Sequence, residues 1–407
     1  MTNFTKVAII GGGPAGLFCA YELLRNKSIE VHLFERTGGV GKNHLVAGNS
    51  GLNLTHSEEL SHFSKRYGKN KAIFKELISD FSAQDLTTWA KELGTETFTG
   101  SSGRIFPKKM KAADILHQWM RVLKDNPNFH LHLKHSLVDI QNDGDLLVRN
   151  DNSTSAIEAD FFVMALGGGS WAKTGSDGKW MNYIEALNVE TQDLAPMNCG
   201  FEITWSDHFL EKIERGFIKN ITVSSRCGNS SRGEIMLTPY GVEGGAIYAI
   251  SNYLRDDIVE NKVGKLYIDF KPDLSVLEVK QKVSGKSKDS LSNKLRKGLG
   301  RGKVERALLY EELDRDLAQK DSDYLAAQIK NYELKLNRTR PIDEAISTSG
   351  GVSFSSLEKD LSIKNKDNYY FIGEMLDFEA PTGGYLLQGC FSSAYRVAKS
   401  IKEKLSV

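Results

Sequence analysis

The sequence predicts an α/β fold with a Rossmann-like sheet of parallel strands at its centre. Three observations predict this class. A short apolar strand, Lys6–Ile10, runs directly into a glycine-rich turn. A helical stretch follows, and a second apolar strand, Glu30–Phe34, ends on Glu35. This order of strand, glycine turn, helix, strand and acid is typical of a dinucleotide-binding unit.

The glycine turn reads Gly-Gly-Gly-Pro-Ala-Gly over residues 11–16. Gly11 permits the tight turn, Gly13 lets the backbone approach a pyrophosphate, and Gly16 lets the helix pack against the strand. The start of the helix presents unpaired N–H groups and the positive end of its dipole to the phosphates. Glu35 is placed to accept hydrogen bonds from ribose hydroxyls. A glycine turn between a strand and a helix does not by itself indicate a ligand. The complete order of strand, glycine turn, helix, strand and acid predicts a dinucleotide site.

The composition limits the class of protein. A chain of 407 residues is too long for one ordinary core, so two or three domains are expected. The formal net charge of +1 gives no general attraction to nucleic acid or to an anionic membrane. No apolar run reaches the roughly 20 residues that span a bilayer. The four cysteines are widely separated, without a CxxC pair or histidine-rich ligand spacing. This predicts a cytoplasmic protein with reduced thiols and no metal site.

Two later strands also end at glycines. The buried strand Phe161–Ala165 runs into a second glycine cluster, and a strand that begins at Tyr369 ends at Gly373 and Glu374. A Gly-Gly turn and a helix from about Leu386 follow, and this helix start again offers backbone donors to a ligand.

These motifs predict a nucleotide-binding domain that is split in the sequence. We expect its two parts at residues 1–194 and 341–407. The inserted domain, 195–340, is expected to be β-rich over 195–270 and helical over 274–336.

Several ordered motifs extend over the whole chain. They lie at residues 9–16, 48–55 (GNSGLNLT), 103–107 (GRIFP), 165–168 (ALGG), 349–352 (SGGV), 373–377 (GEMLD) and 381–388 (PTGGYLLQ). Together they resemble the BaiN-like bacterial flavoproteins, also called the YhiN or aminoacetone-oxidase-like family. That family belongs to the two-dinucleotide-fold flavoprotein group. The resemblance implies a Rossmann-like FAD-binding domain with an inserted β-rich plus helical substrate domain.

The resemblance implies FAD as the cofactor, and with no Cys or His at a recognised attachment position we expect it to be non-covalent. By the resemblance, the pyrophosphate and adenosine would be held by the turn and the strand end that follows it (Gly11, Gly13, Pro14, Ala15, Gly16, Glu35, Arg36), with Val138, Ala165 and Gly167 nearby. The ribityl chain and the flavin ring would contact Gly48, Asn49, Asn53, Gly373, Glu374, Asp377, Gly383, Gly384, Tyr385 and Gln388. Glu374 and Asp377 could instead cap a turn, and Asn49 and Asn53 could instead stabilise a tight loop through Asx turns. A helix dipole aimed at the flavin stabilises its reduced anion.

One loop departs from the family pattern. Many relatives read Gly-Asn-Gly-Arg-Cys-Asn where this chain has Ser50, Gly51 and Leu52 in the middle places. The arginine and the cysteine are therefore absent here, and a mechanism that needs either beside the flavin does not carry over.

Four side chains are candidates for catalysis, each with a structural alternative. His44 and His56 flank the loop at residues 48–55 and are possible proton donors, although a lone histidine is more often structural. Arg104 could hold a substrate carboxylate through two hydrogen bonds, or form a structural salt bridge. Tyr385 could stack on the substrate or donate to it, or simply pack in the core.

The predicted function is that of an FAD-dependent oxidoreductase, with hydride transfer between flavin N5 and a small organic substrate bound beside the inserted domain. Only one GxGxxG is present, so NAD(P)H is expected at most as a transient electron donor. Reduction of an activated double bond and oxidation of an amine with oxygen as acceptor both remain open.

Two further alternatives belong to other classes. A flavin-binding protein without turnover is one. The other is an RNA-interacting flavoprotein that docks through the lysine-rich stretch between Lys280 and Arg306. Acidic residues follow that stretch and no aromatic residues interleave it, so a solvated helical face is the better interpretation and a nucleic-acid partner is not expected. The oligomeric state is not predicted.

Overall fold

The computed structural model describes residues 4–47, 51–141, 144–284, 289–300 and 302–406. Backbone contacts divide the chain into two compact units. The first comprises residues 1–195 and 347–407, and the second comprises residues 196–346.

Helices and strands are numbered along the whole chain. The first stretch contains β1 (Thr5–Ile10), α1 (Pro14–Leu23), β2 (Ile29–Glu35), α2 (Lys42–Ala47), β3 (Thr55–His56), α3 (Leu60–Phe63), α4 (Lys71–Asp80), α5 (Ala83–Glu92), β4 (Thr97–Thr99), β5 (Arg104–Pro107), α6 (Ala112–Lys124), β6 (Phe129–Leu133), β7 (Ser136–Ile140), β8 (Leu146–Arg149), β9 (Thr154–Ala156), β10 (Phe161–Met164), α7 (Met181–Ile184) and β11 (Thr191–Met197). The second unit contains β12 (Phe201–Glu202), α8 (Asp207–Leu210), β13 (Gly216–Ser225), β14 (Ser230–Thr238), β15 (Gly241–Glu243), α9 (Gly245–Tyr248), α10 (Ser251–Asn261), β16 (Gly264–Asp269), α11 (Val276–Val283), α12 (Leu291–Leu299), α13 (Lys303–Glu312), α14 (Arg315–Lys320), α15 (Ser322–Lys330), β17 (Tyr332–Leu336) and β18 (Arg338–Thr339). The chain ends with β19 (Ser347–Val352), β20 (Ser362–Ile363), β21 (Lys366–Phe371) and α16 (Tyr385–Lys404). Short 3₁₀ segments lie at Ser64–Asn70, Ala172–Thr174, Glu185–Leu187, Ile342–Glu344, Phe354–Ser356 and Gly373–Met375.

The first unit is built on a six-stranded sheet with the order β20-β21-β10-β1-β2-β6. β1 is parallel to both of its neighbours, β10 and β2, and β21 and β6 extend the parallel part on either side. Only β20, at one edge, is antiparallel. The four residues Val7–Ile10 are fully buried, as expected of a parallel strand covered on both faces. The predicted α/β, Rossmann-like fold is confirmed.

Two helices that are far apart in the sequence pack together on this sheet. Phe18 of α1 lies with its ring centroid 4.6 Å from that of Phe391 on α16, and 4.8 Å from that of Phe81. The buried side of α16 also includes Ala394, Ala398 and Ile401, which follow Phe391 at intervals of three or four residues. The apolar contact between α1 and α16 thus brings the C-terminal part of the chain against its N-terminal part.

Three smaller antiparallel or two-stranded sheets complete the first unit. One has the order β3-β5-β4, another β7-β8-β9, and the third pairs β11 with β19. The register of β7 with β8 shifts between Leu137 and Asp139, so Val138 has no partner in that ladder. A bulge of this kind leaves backbone donors and acceptors available for other contacts.

The second unit has a seven-stranded sheet with the order β17-β16-β13-β14-β15-β12-β18, in which the pairings are antiparallel. Five helices, α11–α15, share its apolar core through residues such as Leu295, Leu308 and Ile329, all of them fully buried. In the lysine-rich stretch, Lys280 pairs with Asp323 at 2.7 Å and Lys297 pairs with Asp289. Part of the positive charge of this stretch is therefore matched within the protein.

No helix in the described part of the chain combines the length and the apolar character that crossing a membrane requires.

Candidate functional site

Three neighbouring parallel strands of the first unit end at the predicted glycine motifs. β1 leads into Gly11, β10 into Ala165 and Gly167, and β21, two residues after its end, into Gly373. In this sheet, β2 lies on one side of β1 and follows it in the sequence, whereas β10 lies on the other side of β1. Open α/β sheets bind ligands at the carboxyl ends of their strands where the order reverses in this way.

Close packing explains two glycines of the first turn. Gly11 has φ +118°, and a Cβ atom there would lie 2.2 Å from the carbonyl oxygen of Ala165. A Cβ at Gly16 would lie 2.1 Å from the carbonyl oxygen of Gly11. Any larger residue at either position would force backbone segments apart.

Gly13 is different, because no described atom lies within 4 Å of a Cβ built there. It is the N-cap of α1, makes no side-chain cap, and is followed by Pro14 as the first helical residue. The N–H groups of the first turn of a helix have no intrahelical partners. Open space beside unpaired backbone donors and a positive helix dipole is the arrangement that holds a pyrophosphate.

Glu35 is nearly buried and is held at both of its oxygens. Its carboxylate accepts hydrogen bonds from the backbone N–H of Gly12 at 2.9 Å and of Thr37 at 2.8 Å. A carboxylate held in this way still has lone pairs for ribose hydroxyls. The next residue, Arg36, forms an ion pair with Asp177 at 2.9 Å.

The C-terminal motif lies against the first glycine turn. Gly373 has φ +75°, and a Cβ there would lie 2.8 Å from the Cβ of Ala15. Its N–H donates to the hydroxyl of Ser393 at 3.0 Å. Two predicted site residues that are far apart in the sequence, Ala15 and Gly373, thus pack so closely that a side chain at Gly373 has no room.

Both carboxylates of the C-terminal motif already have partners in the protein. Glu374 accepts hydrogen bonds from the backbone N–H of Thr348 at 3.0 Å and from its hydroxyl at 3.3 Å. Burial raises the pKa of Glu374, and the bonds from Thr348 act in the opposite direction. Asp377 is paired with Lys69 at 2.8 Å.

The start of α16 is the second helix terminus of the site. Gly384, its N-cap, has φ +87°, and a Cβ there would lie 2.6 Å from the Cα of Thr55. Gly383 before it has φ +133°. Gln388 is fully buried, accepts a hydrogen bond from the Thr55 hydroxyl at 2.7 Å, and donates to the carbonyl of Phe81 at 2.9 Å. Its amide therefore joins α16 to the adjacent loop.

The loop that precedes β3 holds one unsatisfied polar atom. The Oδ1 atom of Asn53 is buried and has no hydrogen-bond partner among the described residues. Buried carbonyl oxygens without a partner are rare and indicate a missing donor. Gly48 and Asn49, which the sequence placed in the same site, lie outside the described residues.

These features fit a bound dinucleotide cofactor. An open space at Gly13, two uncapped helix starts, an oriented acid at Glu35 and an orphaned oxygen at Asn53 are what such a group requires. The register shift at Val138 leaves this residue without a partner in the ladder of β7 and β8.

His44 lies in the core beside α6. It is 2% exposed, and neither ring nitrogen has a well-formed hydrogen bond to any described residue. Its ring meets that of Trp119 at right angles, with the centroids 6.5 Å apart. Burial lowers the pKa of His44 to about 4, although the backbone of Ala112 acts in the opposite direction. The imidazole is therefore neutral at pH 7.

Tyr385 belongs to a compact polar cluster. Its ring stacks on that of His56, with centroids 5.2 Å apart, and the Arg66 guanidinium lies 5.5 Å from the ring centre. Glu58 accepts a hydrogen bond from Nε of Arg66 at 3.1 Å. Burial raises the pKa of the Tyr385 hydroxyl, so it stays protonated at neutral pH.

The ring of His56 is held in one tautomer. Nδ1 accepts the backbone N–H of Glu58 at 3.1 Å, and Nε2 therefore donates to the carbonyl of Ser102 at 2.9 Å. The sequence analysis did not single out Glu58 and Arg66, because Glu58 precedes α3, Arg66 follows it, and no local motif links the two. Arg104, the third candidate, is exposed at the start of β5 and stands opposite His56 in the strand register.

Comparison with known proteins gives matches over nearly the whole chain. Residues 5–400 match the family described as HI0933-like protein Rossmann domain. A 3-dehydro-bile acid delta(4,6)-reductase of Clostridium scindens is 24% identical over 98% of this chain and 99% of its own length. A ribosomal RNA dihydrouridine synthase of Haemophilus influenzae is 26% identical over 99% of this chain and 100% of its own length.

Solved structures share the fold. The 3-ketosteroid delta1-dehydrogenase of Sterolibacterium denitrificans, in complex with 1,4-androstadiene-3,17-dione, superimposes with a TM-score of 0.55 at 10% identity, over 99% of this chain and all of that chain. A flavocytochrome c3 fumarate reductase superimposes with a TM-score of 0.52 at 13% identity, over 98% of this chain and 78% of that chain. At such low identity the likeness concerns the fold alone.

Proposed function

The chain belongs to the HI0933-like Rossmann family, and on that premise we propose that it reduces a carbon–carbon double bond conjugated with a carbonyl group, using FAD. The family membership confirms the resemblance to the BaiN-like flavoproteins and the class of FAD-dependent oxidoreductase. The substrate and the direction of the reaction are the proposal.

The shared chemistry of two relatives carries this proposal. In a 3-dehydro-bile acid, the delta-4 and delta-6 double bonds are conjugated with the 3-oxo group. In uridine, the double bond that is lost in dihydrouridine is conjugated with a ring carbonyl. A double bond conjugated in this way can accept a hydride at the carbon β to the carbonyl, or δ to it in a dienone, and a proton at the neighbouring carbon of the same double bond. Two end-to-end relatives with unlike substrates thus share one reaction type.

When bound, FAD would supply the hydride from its N5 atom. The residues of this chain would hold and orient it. The turn at Gly13 and the start of α1 would hold the pyrophosphate, and Glu35 would hold a ribose. Asn53 would accept a hydrogen bond from the flavin ring through its Oδ1 atom, which lacks a partner among the described residues.

The proton for the α carbon needs a donor that is protonated at neutral pH. The Tyr385 hydroxyl meets this requirement, since a tyrosine is ordinarily protonated at neutral pH and burial raises its pKa further. The Arg66 guanidinium beside the ring would stabilise the phenolate that remains after the transfer. His44 is a poorer candidate, since its imidazole is neutral and lies against Trp119.

The electron donor is proposed to be NAD(P)H, which would dock transiently. The chain has a single GxGxxG turn, and the glycine cluster at Gly167 lacks the spacing that is typical of a nicotinamide-nucleotide site. A tightly bound nicotinamide nucleotide is therefore not required.

An anaerobic half-reaction experiment tests the proposal. We expect NADPH or NADH to bleach the flavin band of the holoenzyme, and 2-cyclohexenone, a 3-oxo-delta-4 steroid or uridine-containing RNA to restore it. Cyclohexanone, which lacks the double bond, should leave the flavin reduced. Bleaching by a primary amine, with no response to either nucleotide, would instead indicate the oxidase alternative.

Tyr385→Phe separates the two half-reactions. The phenylalanine keeps the ring that stacks on His56 and removes only the hydroxyl. We expect bleaching by NADPH at the wild-type rate and reoxidation by the enone slowed by about 10²–10⁴-fold. Tyr395→Phe, on the same helix and packed on Phe81, is the matched control and should change neither step.

Ribosomal RNA is a second candidate substrate, because the relative at 26% identity is a ribosomal RNA dihydrouridine synthase. The sequence did not favour a nucleic-acid partner, and pairing of Lys280 with Asp323 removes some of the available charge. Incubation of reduced holoenzyme with unmodified ribosomal RNA, followed by mass spectrometry of the nucleosides, tests this candidate. A gain of two hydrogens on uridine would support it, and unchanged uridine would exclude it for that RNA.

A further inference from the structure

A cluster of imidazoles and one carboxylate lies at the edge of the sheet of the first unit, where β2 pairs with β6. We call Glu30, His32, His130 and His132 the histidine cluster. His32 and His130 are direct partners in the parallel register, and Phe34 is the partner of His132. Side chains at alternate positions of a strand share a face, so the pairing brings these four to one side of the sheet.

Three ligand atoms of this cluster converge. Nε2 of His130 lies 2.8 Å from Oε1 of Glu30, and Nε2 of His32 lies 3.2 Å from the same oxygen. All three ligand atoms lie within 4.8 Å of one another. In a tetrahedral zinc site with bonds of about 2.0–2.1 Å, ligand atoms are about 3.4 Å apart. The observed separations need little adjustment to surround an ion.

We propose that Glu30, His32 and His130 form a binding site for a divalent transition-metal ion, with Zn²⁺ as the preferred occupant. Two imidazole nitrogens and one carboxylate oxygen are a donor set that zinc takes up with a water in the fourth position. The harder cations Mg²⁺ and Ca²⁺ prefer oxygen ligands and should bind weakly.

A fourth residue orients one of the ligands. Nδ1 of His32 lies 3.0 Å from Nε2 of His132, and the ring of His132 stacks on Phe34 with centroids 4.5 Å apart and an interplanar angle of 12°. If Nε2 of His32 binds the ion, its Nδ1–H donates to His132. Metal-bound histidines usually have such a second hydrogen bond, which fixes the ring and its tautomer.

The exposure of the cluster suits a metal. The side chains of His130 and Glu30 are 40% and 22% exposed, so the ion and its water have access from solvent.

The proposed role is to clamp an edge of the sheet rather than to take part in the flavin chemistry. Glu30 and His32 lie near the start and at the middle of β2, whereas Glu35, which is proposed to bind the cofactor, lies at its carboxyl end. An ion bound only by the folded state stabilises that state. Removing the metal should therefore lower the unfolding temperature without releasing flavin.

Equilibrium dialysis with elemental analysis tests the site, using holoenzyme without a histidine tag. We expect about one Zn²⁺ per chain for the wild type and no specific zinc for His130→Ala or Glu30→Gln. His132→Phe keeps the ring that stacks on Phe34 and should bind about 10–100-fold more weakly. His62→Ala, which removes an exposed histidine of α3, is the matched control and should bind as the wild type.

Thermal unfolding gives a second measurement. Zinc should raise the melting temperature of the wild type and of His62→Ala. It should leave the melting temperature of Glu30→Gln unchanged. Unaltered flavin absorbance in each variant shows that it is folded. The proposal is overturned if the wild type binds none of Zn²⁺, Ni²⁺, Co²⁺ or Cu²⁺ at micromolar concentrations. It is equally overturned if His130→Ala and Glu30→Gln bind zinc with the affinity of the wild type.

Discussion

The carboxylate of Glu35 accepts a hydrogen bond from the backbone N–H of Gly12 at 2.9 Å, which joins the end of β2 to the glycine turn after β1. The same carboxylate accepts a second bond from Thr37, and the side chain is only 9% exposed. Glu35 is therefore oriented by the protein before any ligand is present. Preorganisation of this kind lowers the cost of binding, because fewer rotamers are frozen when the ligand arrives.

Replacing Glu35 with alanine should weaken FAD retention and the fold together. The amide of Gly12 would lose its partner in a nearly buried position, which costs about 1–3 kcal/mol. We expect less flavin after gel filtration and a lower unfolding temperature of the flavin-free protein. Glu76→Ala, at an exposed position of α4, is the control. Wild-type flavin content in Glu35→Ala would remove this residue from the cofactor site.

Gly13→Val should abolish flavin binding without unfolding the protein. No described atom lies within 4 Å of a Cβ at Gly13, so the flavin-free structure has room for a valine side chain. That side chain would fill the space that the pyrophosphate needs. Gly245→Val, at the start of α9, has the same open surroundings and is the matched control. Visible absorbance and circular dichroism of both variants measure the effect. A yellow Gly13→Val protein would contradict the assignment.

The sequence was sufficient for the parts of the fold that depend on local pattern. The apolar run before Gly11, the acid at Glu35 and the buried run from Phe161 predict parallel strands, and β1, β2 and β10 pair in that way. Gly11 and Gly16 also predict close backbone packing around the turn, because a residue without a Cβ can lie directly against a neighbouring backbone segment. The family could be identified since its motifs are contiguous stretches.

Features that depend on pairing between distant segments could not be predicted. Glu30 and His130 are 100 positions apart in the sequence (130 − 30) and meet only because β2 and β6 are in register. The spacing rules for metal ligands therefore gave no signal, and the sequence predicted no metal site. The bulge at Val138 depends on a shift of one residue against β8, and the contact of Tyr385 with His56 depends on the position of α16. No local pattern encodes these relationships.

Asn53→Leu should lower the flavin content without lowering the stability of the flavin-free protein. The Oδ1 atom of Asn53 is buried without a partner among the described residues, so its removal should leave stability unchanged or raise it by about 1–3 kcal/mol. Retention of FAD should fall, because the atom is proposed to meet the cofactor. Denaturant unfolding of the flavin-free protein and the flavin-to-protein absorbance ratio measure the two effects.

The control for Asn53 is an asparagine whose amide is already bonded. Asn126 accepts the backbone N–H of Asn128 at 3.0 Å through its Oδ1 and is near the carbonyl of Leu24 through its Nδ2. Asn126→Leu should therefore lower stability and leave the flavin content unchanged. A loss of stability without loss of flavin in Asn53→Leu would place this residue outside the cofactor site.

His44→Leu should make the stability of the protein less dependent on pH. The pKa of His44 is about 4 in the folded state, below the ordinary value of 6.5, so the unfolded chain binds more protons between these two values. Neutral His44 does not lower the free energy of unfolding above pH 6.5. As the pH falls from 6.5 towards 4, protonation of the unfolded chain lowers the free energy of unfolding by a total of roughly 3 kcal/mol. Leucine does not titrate and has no unpaired nitrogen to bury. Denaturant unfolding at pH 7.5 and pH 4.5 measures the difference.

The same variant decides between a structural and a catalytic His44. Because both ring nitrogens are buried without well-formed hydrogen bonds to the described residues, leucine should be tolerated at pH 7.5. We expect wild-type flavin content and wild-type rates in both half-reactions, with a smaller loss of stability at pH 4.5. His62→Ala, at an exposed position, should leave the pH dependence of the wild type unchanged. A slow enone half-reaction in His44→Leu, with normal bleaching by NADPH, would transfer the proton-donor role from Tyr385 to His44.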